Sequence, residues 1–309
     1  MMATAHRNTA LYLVSVLLAC TIACDGDPSS AIEEATAPGL ALGSHIWTTA
    51  DGISMPYDVS GKSDAEVTVL FVHCWMCNRS FWDSQLPALA KDYRTLTLDL
   101  PGHGEATSER ATWTVSAFGD DVAGLVRDLD LSKVVLVGHS MGGPVSLRAA
   151  AQLPGRVLGI VAVDTLHDAE FEFDGEQVDS FMQMFENDFV GTCERFVGEM
   201  FPEEGVDDIA AYVSEAGCDA GRSHVGISLM RSYSTIDIPR WFREAGVPIR
   251  AINAAKPYET KVEVNRNYSD FDAVIMEGVG HYPHMTRPEE FNELLLEALA
   301  ALAGGTAPP

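Results

Sequence analysis

Gly138-His139-Ser140-Met141-Gly142 joins an apolar, β-branched run, Val134-Val135-Leu136-Val137, to a stretch, Gly143 to Ala151, that reads as a helix. A serine with glycines two residues before and two after it, between a buried strand and a helix, marks a turn too sharp for side chains at the glycine positions. Such a turn strains the serine backbone and lifts its hydroxyl into the open. The chemistry this suits is nucleophilic attack. A serine hydroxyl is a poor nucleophile at neutral pH, so it needs three helpers: a general base, an acid to orient that base, and N–H donors for the oxyanion that develops.

The elements around the serine alternate between strand and helix, as expected of an α/β chain with a mostly parallel sheet and helices on both faces. An opening hairpin is expected over His45 to Val59, around Asp51-Gly52. Strands are expected at Val67–Val72, Arg94–Asp99, Val134–Val137, Val157–Val163, Val247–Ile252 and Ala273–Met276, and helices at Ser80–Lys91, Val115–Leu129 and Pro288–Leu302. Between about 165 and 246 the alternation stops. Helical patterns rich in Phe and Met replace it, including Phe181, Phe185, Phe189, Phe196 and Met200. This stretch is expected to form a helical cap inserted after the strand that follows the nucleophile helix. Most of its apolar residues are expected to hold the cap together and onto the core.

From about residue 45 onward the sequence resembles the α/β-hydrolase superfamily, in its capped, esterase-like branch. The motifs that carry the resemblance are His73-Cys74-Trp75-Met76, Asp99-Leu100-Pro101-Gly102-His103-Gly104, the Ser140 turn, and Gly278-Val279-Gly280-His281. The resemblance implies a catalytic order of Ser, acid, His, with Ser140 as nucleophile and His281 as base. It also implies an oxyanion hole of two backbone N–H groups, one from Met141 and one from the loop after the first long strand. Where the family has glycine after His73, this chain has Cys74, which makes Trp75 the expected donor. For the acid, the usual loop after Ile252 holds no Asp, and Glu259 comes late in it. The superfamily's alternative location, the end of the strand after the nucleophile helix, holds Asp164, which is the expected acid, with Glu259 the alternative. Asp99, His73 and His103 are expected to organise loops, and His139 is the variable residue of the turn. His167 and His284 are left at the border of the site.

The implied activity is a serine carboxylesterase acting on small or medium apolar acyl esters, with no metal or organic cofactor and a small-molecule ester as partner. The same residues would also serve C–C hydrolysis, acyl transfer or perhydrolysis, and a non-catalytic binding protein on this scaffold is the alternative from another class. A Ser nucleophile argues against dehalogenase and epoxide hydrolase chemistry, for which this superfamily uses Asp. The chain has 309 residues, 47% of them hydrophobic, enough for one sizeable core. Its formal charge of -25 disfavours nucleic acid and anionic membrane surfaces as partners.

Residues 1–24 read as an export signal. The apolar run from Ala10 to Ala19 is too short to favour a membrane span. Cys20 and Cys24 each follow a small residue, and the stretch resembles the bacterial lipoprotein signal, with lipidation at one of the two cysteines as the only membrane attachment. The polar residues that follow Cys24 favour it. Residues 25–44 read as a flexible linker and 45–309 as the hydrolase domain, exported to the cell envelope or secreted. In that compartment Cys193 and Cys218, both in the cap, are expected to pair. Cys74 is expected to be buried packing, with a bridge to Cys77 or a reactive thiol as alternatives.

Overall fold

The computed structural model describes residues 40–304. The expected signal and most of the linker lie outside the described residues. Eight strands form one sheet in the order β1-β2-β4-β3-β5-β6-β7-β8. They are β1 (Gly43–Thr48), β2 (Ser54–Gly61), β3 (Thr68–Val72), β4 (Arg94–Leu98), β5 (Val134–His139), β6 (Val157–Val163), β7 (Ile249–Ala254) and β8 (Phe271–Met276). β2 pairs antiparallel with both β1 and β4, and every other pairing is parallel. The first strand begins at Gly43, inside the stretch read as linker.

The helices are α1 (Leu86–Leu89), α2 (Val115–Asp128), α3 (Gly142–Ala151), α4 (Gly175–Asn187), α5 (Phe189–Glu199), α6 (Asp207–Gly217), α7 (Ser223–Tyr233), α8 (Ile238–Ala245), α9 (Val262–Asn265), α10 (Pro283–Thr286) and α11 (Pro288–Ala303). Among the described residues no helix is long and apolar enough to cross a membrane.

The central strands are continuous apolar runs because both faces of the sheet are covered. Successive side chains feed opposite layers. Leu70, Val72, Leu136, Ile160 and Ala162 face a core shared with Phe118, Val122, Val145 and Phe242. Val69, Phe71, Val135, Val137 and Val161 face one shared with Trp82, Phe291, Leu295 and Leu299. A third apolar cluster joins the loop after β3 to α4 and α5, and contains Cys74, Met76, Cys77, Phe185, Phe189, Cys193 and Tyr282.

Three sequence expectations change. Instead of one helix over Ser80–Lys91 there is a 3₁₀ turn, Arg79–Trp82, and the short α1. Asn78 caps the turn, accepting from the Ser80 N–H, and Pro87 restarts the chain at the head of α1. The stretch between β6 and β7 is helical as expected, but its last helix, α8, packs on α3 and sends Phe242 into the first core. It therefore acts as the crossover helix into β7 rather than as part of a cap. Finally, β7 runs on to Ala254, so Asn253 is a strand residue and not the start of a loop.

Cys193 and Cys218 are bonded, with Cα atoms 5.5 Å apart, tying α5 to the end of α6. The pairing matches the sequence expectation. Chain-entropy reasoning for a loop of this size gives about 3 kcal/mol. The Cys193→Ala/Cys218→Ala variant is expected to lose about that much in a urea titration. A loss below about 1 kcal/mol would mean that the reduced state is already held by packing.

Candidate active site

β5 and β6 run parallel with His139 opposite Val163, so Ser140 and Asp164 leave the carboxyl ends of neighbouring strands. Open α/β sheets bind their ligands at this end. The turn at Ser140 has the geometry its glycines imply. Ser140 sits at φ 51°, a left-handed conformation that costs a non-glycine residue about 1–3 kcal/mol. A Cβ on Gly138 would lie 2.3 Å from the Gly142 carbonyl oxygen, and one on Gly142 would lie 2.2 Å from that of Val72. The Ser140 N–H is held by the Val163 carbonyl at 3.0 Å, and the Ser140 carbonyl accepts from Gly143 at 2.9 Å, at the head of α3.

Asp164 is buried, and both of its oxygens have partners. Oδ2 accepts from Nδ1 of His281 at 2.5 Å, and Oδ1 accepts from the Ala254 N–H at 2.9 Å. These bonds offset the cost of burying the carboxylate. Glu259, the alternative acid, is exposed on the loop after β7. At the end of β7 stands an amide, Asn253, which accepts from the Thr165 N–H at 3.2 Å and donates to the Thr165 carbonyl at 3.1 Å. It braces the loop that carries the carboxylate from β6.

The His281 loop is clamped on both sides. The His281 N–H donates to the Met200 carbonyl at 3.0 Å. Its own carbonyl accepts from Nε2 of His139 at 2.7 Å. The Gly280 N–H donates to Glu203 at 2.7 Å, and a Cβ on Gly280 would meet the Met200 oxygen at 2.2 Å. Met200 and Glu203 lie between α5 and α6, so the inserted helices help to hold the candidate base. Burial drives the His139 imidazole well below its ordinary pKa, so it stays neutral and donates from Nε2 as one fixed tautomer. This contact is invisible in sequence, because the turn motif leaves that position open.

Trp75 and Met141, the expected oxyanion donors, both border this end of the sheet. Among the described residues neither backbone N–H has a protein partner. The Trp75 indole donates to the Gly226 carbonyl of α7 at 2.9 Å and packs on Phe185, Phe189 and Phe196 with ring centroids 5.6 to 6.2 Å away. Cys74 is buried as expected, but it is bridged to Cys77, with Cα atoms 5.2 Å apart, which corrects its expectation as a packing thiol. The left-handed residue of this loop is Met76, at φ 55°, and Cys74 is not among the residues at positive φ. The backbone here does not need glycine after His73, because the turn is made two residues later.

Four other histidines divide as follows. His73 accepts from the Leu100 N–H at 2.9 Å, and His103 bonds the Pro101 carbonyl at 3.0 Å. Both organise loops, and burial lowers them to about 4 and about 3. Asp99 accepts from the Arg79 and Glu105 N–H groups and pairs with the Arg79 guanidinium, so its role is also in the loops. His284 lies in the core against Trp82, behind the site, lowered to about 3 by burial. His167 stands at the site itself. Its Nε2 is 3.5 Å from Asp164 Oδ1, and its Nδ1 lies 3.1 Å from the Thr260 hydroxyl. Burial lowers its pKa.

Residues 67–206 match a family model described as the alpha/beta hydrolase fold. The strand order, the serine turn and the chain order Ser140, Asp164, His281 agree with it. The chain has the α/β-hydrolase fold. It is 25% identical over 256 residues to a pimeloyl-[acyl-carrier protein] methyl ester esterase of Yersinia enterocolitica, across 78% of this chain and 95% of that protein. It is 26% identical to a 2-(acetamidomethylene)succinate hydrolase of Mesorhizobium japonicum, across 72% of this chain and 84% of that one. The fold is also that of an esterase from Exiguobacterium antarcticum, with a TM-score of 0.74, 18% identity, and 85% and 100% of the two chains covered. Within this fold, four of the five non-glycine residues at positive φ among the described residues (Met76, Ser140, Asp164 and Leu166) border one site. Such clustering of backbone strain is characteristic of functional sites.

Proposed function

We propose that this protein is a serine carboxylesterase that hydrolyses esters with small or medium apolar acyl groups. The observation that carries the proposal is the hydrogen bond from His281 Nδ1 to buried Asp164, beside a serine at φ 51°. That bond fixes the tautomer in which Nε2 can take a proton. Ser140 Oγ attacks the ester carbonyl as Nε2 removes its proton. The oxyanion forms between the N–H groups of Trp75 and Met141. His281 then protonates the departing alcohol and afterwards activates the water that frees the acid. Asp164 holds the imidazole and stabilises its charged form during both proton transfers. The aromatic surroundings of Trp75 support an apolar acyl group.

The test is a screen of the purified full chain on p-nitrophenyl esters from acetyl to palmitoyl, beside stoichiometric labelling with a fluorophosphonate. The expected result is labelling with highest kcat/KM on the shorter chains. No turnover and no labelling would reject the proposal in favour of a non-catalytic binding protein. Product analysis in the same screen separates ester hydrolysis from C–C hydrolysis, acyl transfer and perhydrolysis. Two disulfides among the described residues support an oxidising compartment, in keeping with export and a lipid anchor at Cys20 or Cys24.

A further inference from the structure

The Cys74–Cys77 bridge encloses Trp75, whose N–H is one of the two proposed oxyanion donors, so three features of the site meet at this bond. The first is the loop itself. The Cys77 N–H closes a turn on the Cys74 carbonyl at 3.3 Å, and Met76 inside the turn is left-handed at φ 55°. Removing the covalent link would leave this turn held by that long hydrogen bond and by His73 Nδ1, which donates to the Cys74 carbonyl at 2.8 Å, while Met76 keeps its left-handed strain. The second is the base. The Tyr282 hydroxyl, on the residue next to His281, lies 3.7 Å from Cys74 Sγ and 3.8 Å from Cys77 Sγ. The third is the insertion. A Cβ on Gly217, at the end of α6, would come within 3.0 Å of the Met76 carbonyl oxygen, one residue before the second bridge at Cys218. Oxyanion loop, base loop and inserted helices therefore share contacts around one buried pair of sulfurs.

We propose that the Cys74–Cys77 disulfide is a positioning element of the oxyanion hole, so that the thiol–disulfide state of this pair sets the rate of ester hydrolysis. The proposal rests on the hydrolase function above. The reductant is a dithiol. Its two thiols transfer two electrons and two protons, the bond between the two Sγ atoms breaks, Cys74 and Cys77 each gain an S–H, and the dithiol closes into a cyclic disulfide. The freed turn relaxes at Met76 and the Trp75 N–H moves off its line to the oxyanion. The Trp75 side chain stays anchored by Gly226 and the three phenylalanines. Substrate binding is therefore retained while transition-state stabilisation falls. Complete loss of one oxyanion donor costs about 10²–10³ in kcat. A misplaced donor is expected to cost on the order of tenfold, with KM changed less than about twofold.

The experiment compares kcat and KM on p-nitrophenyl butyrate for the full chain, oxidised and after dithiol treatment. Thiol titration follows the state of the bridges, and the active sites are counted with a fluorophosphonate. A background with Cys20, Cys24, Cys193 and Cys218 all changed to Ala leaves Cys74–Cys77 as the responding pair. Cys74→Ala and Cys77→Ala are assayed without reductant, with circular dichroism to confirm that they fold. The proposal expects a fall in kcat that reverses on reoxidation, the same low kcat in both single variants, and no dithiol response in either. Three results would overturn it: unchanged kcat with two new thiols titrated, full kcat in either folded single variant, or a change confined to KM. If the oxidised protein neither labels nor turns over, the hydrolase function fails. If it labels and turns over but ignores the bridge, only the present proposal fails.

Discussion

Ser140→Ala is expected to lower kcat on a p-nitrophenyl ester by about 10⁶-fold, the scale seen when the nucleophile of a serine protease is removed, and to abolish fluorophosphonate labelling. The expected loss is this large because, among the described residues, the neighbouring candidates to replace Ser140 are already engaged. The four cysteines among the described residues are bonded in pairs. The neighbouring hydroxyl, Ser146, is buried and donates to the Gly142 carbonyl at 2.7 Å. Folding should be untouched, since alanine carries the same Cβ as serine and meets the same strain at φ 51°. Glycine is different. It reaches that conformation at no steric cost, so Ser140→Gly is expected to be as inactive as Ser140→Ala and more stable by about 1 kcal/mol. Thermal melts of the three proteins, run beside the labelling assay, give both readouts. Labelling that persists in Ser140→Ala would move the nucleophile elsewhere.

Asp164→Asn is expected to lower kcat by about 10⁴-fold, as loss of the orienting acid does in a serine protease, while the protein stays folded. The hydrogen bonds around the carboxylate explain why so small a change costs so much. Oδ1 faces the Ala254 N–H, a donor that cannot be turned away because it belongs to the end of β7. An asparagine there must keep its oxygen towards that N–H and present its NH₂ to His281. The imidazole is then held with Nδ1 as acceptor and its proton on Nε2, the tautomer that cannot accept the serine proton. The opposite rotamer sets NH₂ against the Ala254 N–H, leaving two donors face to face in a buried place. Glu259→Gln serves as the control. Glu259 is exposed, and its loss is expected to change kcat less than about twofold. If Glu259→Gln proves crippling and Asp164→Asn mild, the assignment of the acid is reversed.

The sequence by itself determined the fold class, the nucleophile candidate and the strand that carries it, because these are local in chemistry. Apolar β-branched runs, the two glycines about Ser140 and the glycine-rich segment before His281 each state a backbone requirement within a few residues. With the family resemblance it also gave two leading positions for the acid, since the absence of Asp after Ile252 is visible as a string of letters. Choosing between them needed the tertiary structure. Asp164 and Glu259 are both carboxylates near strand ends, and only the register of β5, β6 and β7 puts one beside His281 and leaves the other exposed. For the same reason α8 looked like part of the insertion until its packing on α3 made it a crossover helix. Cys74 looked like a misplaced packing residue, because no local pattern says that the left-handed turn falls at Met76. His139 carried no signal at all. Its hydrogen bond to the His281 carbonyl spans 142 positions of sequence. Patterns within one element are written into the sequence by backbone and solvent physics; which polar side chain meets which is decided only when the elements pack.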